Sequence, residues 1–270
     1  MKKVLLAIGS TFAALLVLVC GAALWLLNTE RGASLITTLA VRQLGERLTV
    51  GEVAGTLAGP LTLSKVRWRD PRSGMHVAVG RATVDIELLA LLRREVRVRN
   101  AAVHDAHIQL GEPQPEEPPE EPEKPLSLEA PIDIVVERFA ASRVVVERDA
   151  GQVTEGRKAR LVTIREADFV GRWTRNDIAV ERLDVRAAEG TAQLRAAFAT
   201  SKPWIGTGQG DIRWRVGGST YAARLAATST AQQARLELDM SSPLTARLAA
   251  TLEQSAALPW RVTLELPRFD

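Results

Sequence analysis

The chain has 270 residues, a formal net charge of +3, 46% hydrophobic and 25% charged residues, and only 4% aromatic ones. Such a composition folds around Val, Leu and Ala rather than aromatic rings. Its small, scattered basic surplus is no nucleic-acid footprint. The single Cys20 excludes an internal disulfide framework and a cysteine metal site, and the thiol-free remainder suits an oxidising compartment.

Met1-Lys2-Lys3 precede a charge-free apolar run over residues 4–27. As a helix this run is roughly 36 Å long, enough to cross a bilayer core. The lysines place the N-terminus in the cytoplasm and all that follows on the other side. Residues 1–31 therefore read as an uncleaved signal-anchor transmembrane helix. Two alternatives stay open. A cleaved signal peptide has a shorter run and a small-x-small site, whereas this run ends in Trp25-Leu26-Leu27-Asn28. A lipoprotein signal wants a small residue before the cysteine, where this chain has Val19.

Residues 32–47 carry a helical stripe of Leu35, Ile36, Leu39 and Val41. They read as a short amphipathic helix plugging the end of the first sheet. A membrane-surface helix is the other reading, but its polar face is not notably basic. Gly51, Gly55 and Gly59 follow, four residues apart. That spacing would pack two membrane helices. Pro60 and the alternation after it instead predict turns and close approaches in a sheet.

From residue 48 onward the dominant period is two. Ala82, Val84, Ile86 and Leu88 alternate with Arg81, Thr83, Asp85 and Glu87, the mark of a strand with one apolar face. The pattern recurs at 96–99, 107–110, 178–185, 191–198, 211–216, 221–227, 234–240, 244–252 and 260–266, separated by turn residues. These segments predict about sixteen antiparallel strands, a sheet about 75 Å long at strand spacing. Residues 87–95 are expected to make no more than a turn of helix. Residues 111–125 hold six Pro and six Glu, so they read as an extended, solvated linker between a first β-block, 48–110, and a second, 126–270. Nothing at 266–270 looks like a cap for a sheet edge. The second block is therefore expected to be incomplete at its C-terminus, with more strands to follow in a longer chain.

No catalytic constellation emerges, and the chain reads as a non-enzyme without cofactor or metal. His104 and His107 are expected on opposite faces of a strand unless a bulge intervenes. Gly206, Gly208 and Gly210 lack the Lys-Ser/Thr and the helix of a phosphate loop and read as a turn. Gly217-Gly218 reads as a hairpin turn. The apolar faces have no helices to cover them, which leaves a sandwich, a barrel or a trough.

The block formed by Gly51, Val53, Gly55, Leu57, Gly59, Leu61, Leu63 and Val66 carries a family resemblance. With it go the double-leucine turn from Leu88-Leu89 to Leu92, the Pro-rich break and Leu258-Pro259-Trp260. Together with the N-terminal anchor they make the chain resemble the N-terminal portion of the TamB family. This is the inner-membrane component of the translocation and assembly module of Gram-negative bacteria, within the AsmA-like superfamily. The resemblance implies a mainly β fold: a long antiparallel sheet curled into an open trough with an apolar interior. It implies phospholipid transport between inner and outer membranes and support for outer-membrane protein assembly, autotransporters included. The implied partners are phospholipid acyl chains, the inner membrane through residues 4–27, and, for full-length members, an outer-membrane barrel whose docking domain has no counterpart here. The bulk of the chain is expected in the periplasm. The implied groove lining is Leu61, Leu63, Val84, Ile86, Val96, Val98, Ile108, Ile178, Val180, Leu194, Phe198, Ile212, Trp214, Leu236, Leu238, Leu248, Val262 and Leu264. Two other readings remain, a scaffold that pairs with client strands and a truncated, non-functional fragment.

Overall fold

The computed structural model describes residues 29, 30, 32, 34, 38, 45–70, 73–111, 128–149, 158–255 and 259–266. The expected anchor, residues 4–27, lies outside these, as do most of the expected plug helix and of the Pro/Glu-rich linker. Among the described residues no helix is long and apolar enough to cross a membrane.

A 3₁₀ turn, Gly45–Arg47, leads into the strands. These are β1 Leu48–Thr49, β2 Glu52–Gly55, β3 Leu61–Arg69, β4 His76–Glu87, β5 Glu95–Leu110, β6 Asp133–Asp149 and β7 Lys158–Trp173. Then follow β8 Asp177–Ala187, β9 Gly190–Ala199, β10 Gly206–Val216, β11 Ser219–Ser229, β12 Gln233–Ser242, β13 Ala246–Glu253 and β14 Trp260–Glu265. A second 3₁₀ turn, Leu88–Arg93, joins β4 to β5, in keeping with the short helical turn read there.

All fourteen strands belong to one sheet, in the order β1-β3-β4 and then consecutively to β14, with β2 pairing β3 beside β1. The two ends do not pair with each other, so the sheet is open, and neither a barrel nor a two-sheet sandwich forms among the described residues. Twelve strand steps make it roughly 58 Å long, shorter than sixteen strands would give. Gly217 and Gly218, at φ of 57° and 87°, make the two-residue turn between β10 and β11, where a type I′ turn needs positive φ at both positions. Gly55 has φ 93°, and a Cβ there would lie 2.1 Å from the Pro60 carbonyl oxygen, so it is a true close-approach glycine.

Two expectations are corrected. The sheet is not antiparallel throughout: β5 and β6 run parallel, from Glu95 opposite Asp133 to Leu110 opposite Arg148. Parallel neighbours need a long crossover. The 22 residues between Leu110 and Asp133 have a contour of roughly 73 Å, enough to return along the roughly 53 Å of β5. The sheet is thus continuous across the Pro/Glu-rich segment. Gly206, Gly208 and Gly210 form no turn either. They lie inside β10, opposite Phe198, Ala196 and Leu194. A Cβ on Gly206 would sit 2.5 Å from the Phe198 ring, so the glycine leaves room for that ring to lie across the strand.

A crease crosses the first half of the sheet. Ser64 pairs with Arg81 and Val66 with Val79. The same two rows continue through His104 and Ala106 to Ser142 and Val144. Between them stand Lys65, Gly80, Asp105 and Arg143. Three of these are left-handed, Lys65 at φ 54°, Asp105 at 58° and Arg143 at 54°, a conformation costing an L-residue roughly 1–2 kcal/mol. On Gly80 a Cβ would meet that of Asp105 at 2.9 Å. Arg143 grips Asp105 along the line through Nε at 2.5 Å and Nη2 at 2.8 Å. In β7 and β8 the line ends as a bulge between Ile164 and Glu166.

The crease inverts the alternation. Leu63 and Val66, three residues apart, trace through their partners to Val185 and Ala187 of β8, two apart on one face. His104 and His107 consequently share the polar face rather than opposing each other, the bulge-like exception realised at Asp105.

Lys65→Val, β-branched and poorly tolerant of left-handed backbone, is expected to lower stability by about 1–2 kcal/mol, whereas Lys65→Asn is near neutral; chemical denaturation of the two variants checks the pair. The hydrogen bond from Arg143 holds the Asp105 carboxyl below the usual carboxylate range. The contribution of this pair is therefore complete above about pH 4 and is lost as pH falls through the lowered folded value. Asp105→Asn is expected to flatten the acid limb of a melting-temperature profile in that window.

Candidate functional site: an uncovered apolar sheet face

Cross-strand partners point to the same face of a sheet, so the pairing register assigns every side chain to one side. The eighteen residues read as groove lining all fall on one face. Leu61 stands opposite Val84 and Leu63 opposite Ala82. Ile86 is opposite Val98, and Ile108 opposite Val77. Val96 meets Ile134. Ile178 is opposite Phe198, Val180 opposite Ala196 and Leu194 opposite Leu183. Ile212 and Trp214 face Ala223 and Tyr221. Leu236 and Leu238 continue into Ala250 and Leu248, then into Val262 and Leu264.

The register adds members that the alternation did not reveal. β6 and β7 contribute Ile134, Val136, Phe139 and Val144 opposite Trp173, Gly171, Phe169 and Ile164. Their sequences contain apolar pairs and triplets, such as Val144-Val145-Val146, because bulges and the crease shift the phase within one strand. Trp68, Leu225 and Met240 also belong to this face.

Among the described residues no second layer packs over it; the segment at 128–130 only touches its rim, where the Leu128 carbonyl accepts the Trp173 indole N–H at 2.7 Å. Among the described residues the buried apolar side chains are six alanines and Val144; no Leu, Ile, Phe or Trp is buried. Ile212 is 42% exposed and Leu264 58%. The face is nevertheless the more sheltered one in β9 to β11. Ala196 and Ala227, which lie on it, are half-buried, while their chain neighbours Ala197 and Ala226 on the other face are exposed.

The opposite face is a lattice of arginine–carboxylate pairs. Arg172 binds Asp177 at 2.7 Å and Glu181 at 3.0 Å. Arg186 meets Glu166 at 3.0 Å, and Arg247 reaches both Glu237 and Asp239. Exposed pairs of this kind contribute up to about 1 kcal/mol each and keep the face wet. Hydrogen bonds from Arg172 and then Thr174 hold the Asp177 carboxyl below the usual range. His104 Nδ1 lies 2.6 Å from Ser142 Oγ, and His107 Nε2 lies 2.9 Å from Glu147. Among the described residues no group of three or more His, Cys, Asp or Glu is placed to hold a metal ion. The site is thus an extended apolar sheet face backed by a charged one.

A family model places the chain. The model of the TamB N-terminal domain matches residues 18–157, and the chain belongs to the TamB family. The match takes in β1 to β6, the crease and the parallel pair. No curated protein and no solved structure matches the chain.

A leucine on an uncovered face leaves no closed cavity when truncated. Leu236→Ala, at a position already 38% exposed, is expected to cost about 1 kcal/mol in denaturant unfolding, against the roughly 2–5 kcal/mol of an enclosed core leucine.

Proposed function

We propose that this chain forms the membrane-proximal part of a periplasmic lipid conduit, anchored in the inner membrane by residues 4–27. The observation that carries the reading is the apolar face that runs across the sheet, with no second layer over it among the described residues. The left-handed crease and the bulges, which bend and twist strands, curl the sheet so that this face lines a trough and the arginine lattice faces water.

An acyl chain leaving a bilayer loses roughly 0.8 kcal/mol for each CH₂ exposed, on the order of 12 kcal/mol for a sixteen-carbon chain. An apolar trough removes most of that cost along the whole path while the head group stays in water at the open side. No proton or bond is moved by the protein. Small residues side by side in one row, Ala196, Gly208 and Ala227, keep the lining shallow enough for chains to slide. At roughly 58 Å the sheet is one section of a longer path between two membranes, and the TamB family membership supports a role in envelope lipid transport or assembly.

Photo-crosslinkers at Ile86 and Trp214, both on the apolar face, are expected to capture phospholipid in cells. Crosslinkers at Asp85 and Arg213, on the other face of the same strands, are expected to give at most a tenth or so of that yield, as solvent-facing positions should. Equal capture from both pairs sinks the proposal.

A further inference from the structure

The 3₁₀ turn Leu88–Arg93 carries the most exposed leucines among the described residues, Leu92 at 84% and Leu89 at 73%. Residues three apart eclipse in a 3₁₀ helix, so these two form one ridge pointing away from the sheet. The turn beneath is fixed. Ala90 is fully buried, and the left-handed Arg94 closes the turn by donating its amide to the Ala90 and Leu91 carbonyls. The Arg94 carbonyl in turn accepts the Asp133 amide at 3.1 Å. An apolar ridge held this firmly in water needs an apolar partner.

Position and charge indicate which. The turn joins β4 to β5, within two strand spacings of β3, so it stands about 10 Å from the sheet's first edge. The described chain enters that same edge through Leu48–Thr49 at its other end, where Leu48 pairs with Trp68 and Trp68 with Val77, roughly 36 Å along β4 from the turn. Residues 45–99 hold ten Lys and Arg against six Asp and Glu. The acids flanking the ridge are paired, Glu87 with Arg93 at 3.8 Å and Glu95 with Arg97 at 2.6 Å. Arg94 forms no ion pair among the described residues.

We propose that Leu89 and Leu92 insert into the surface of an anionic bilayer, with Arg93 and Arg94 at the level of its phosphates. Leucines beside basic residues suit the boundary between acyl chains and head groups, about 5–10 Å deep, and the attraction to anionic lipid fades within a Debye length. The contact gives the anchored chain a second point of attachment and fixes how the first strands meet the membrane. The inference rests on the reading of residues 4–27 as the anchor, and not on lipid passage along the sheet.

The test uses the full chain with Cys20→Ser and Leu92→Cys, labelled with a polarity-sensitive fluorophore and reconstituted into phosphatidylglycerol-containing vesicles. Brominated lipids are expected to quench the label about twofold, more with bromine near the carbonyl than at the chain end, as interfacial depth requires. Bromine-independent emission at Ser219→Cys, on the opposite rim, serves as the reference. Exchanging phosphatidylglycerol for phosphatidylcholine and introducing Leu89→Glu are each expected to reduce the quenching. The proposal is overturned if the label at position 92 is quenched no more than that at 219, or if Leu89→Glu changes nothing. It is also overturned if quenching is equal at both bromine depths, which marks a lipid lying in the trough. A label shielded from water but not quenched marks a protein partner and overturns it too. Lipid crosslinking at Ile86 and Trp214 is read separately and persists in Leu89→Glu if the conduit stands without the ridge.

Discussion

The backbone ladder holds this molecule together. In an ordinary domain, side chains meet across two layers and hydrogen bonds follow. Among the described residues one layer exists, and each strand is fixed mainly by the strands beside it through in-register pairing from β1 to β14. Side-chain burial is left to neighbours on the same face, as in Leu238–Leu248–Leu264. Cross-strand contacts of that kind contribute a few tenths to about 1 kcal/mol each, so cohesion accumulates along the sheet instead of concentrating in a nucleus. Loop contacts add to it along one rim. The Gln254 side chain accepts the Trp204 amide and donates to Ser229 and to the Thr230 carbonyl, tying three successive connections together.

The two faces divide the remaining work. The apolar one stays uncovered among the described residues while the other is wetted by charge, and several of its arginines are set against a carboxylate on a neighbouring strand. Arg247 between Glu237 and Asp239 is an example. This explains a composition with a quarter of its residues charged and a net charge of only +3. Part of the charge is held in pairs across strands, which also penalises a slip of register, since a one-residue shift would bring apolar and charged rows together.

Much of this was legible in the sequence. From β9 to β14, polar and apolar residues alternate cleanly, and every lining residue named there falls on the expected face, down to Val262 and Leu264 in the last strand. The turn at Gly217-Gly218 and the short helical turn after Glu87 could also be read locally. What could not be read is non-local or out of phase. β6 and β7 hide their inner face, Phe139 and Phe169 included, behind bulges that shift the period. The parallel β5–β6 pairing depends on where a 22-residue connection returns, which no local pattern specifies. The glycines of β10 look like a loop until they are seen paired within the sheet, with the Phe198 ring lying where a Cβ on Gly206 would be.

The crease through Lys65, Gly80, Asp105 and Arg143 divides each of its strands into two segments whose alternation is set independently. In an uninterrupted strand, gaining or losing one residue turns everything beyond it inside out. In a creased strand the left-handed residue is already a phase reset, and the half beyond it is held by its own partners. An insertion or deletion near the line can thus be absorbed as a displaced reset, with both halves keeping their oily side in common. Strands that extend and contract during evolution while preserving one continuous surface would be expected to keep such a line, and to place it where three costly backbone conformations can support one another.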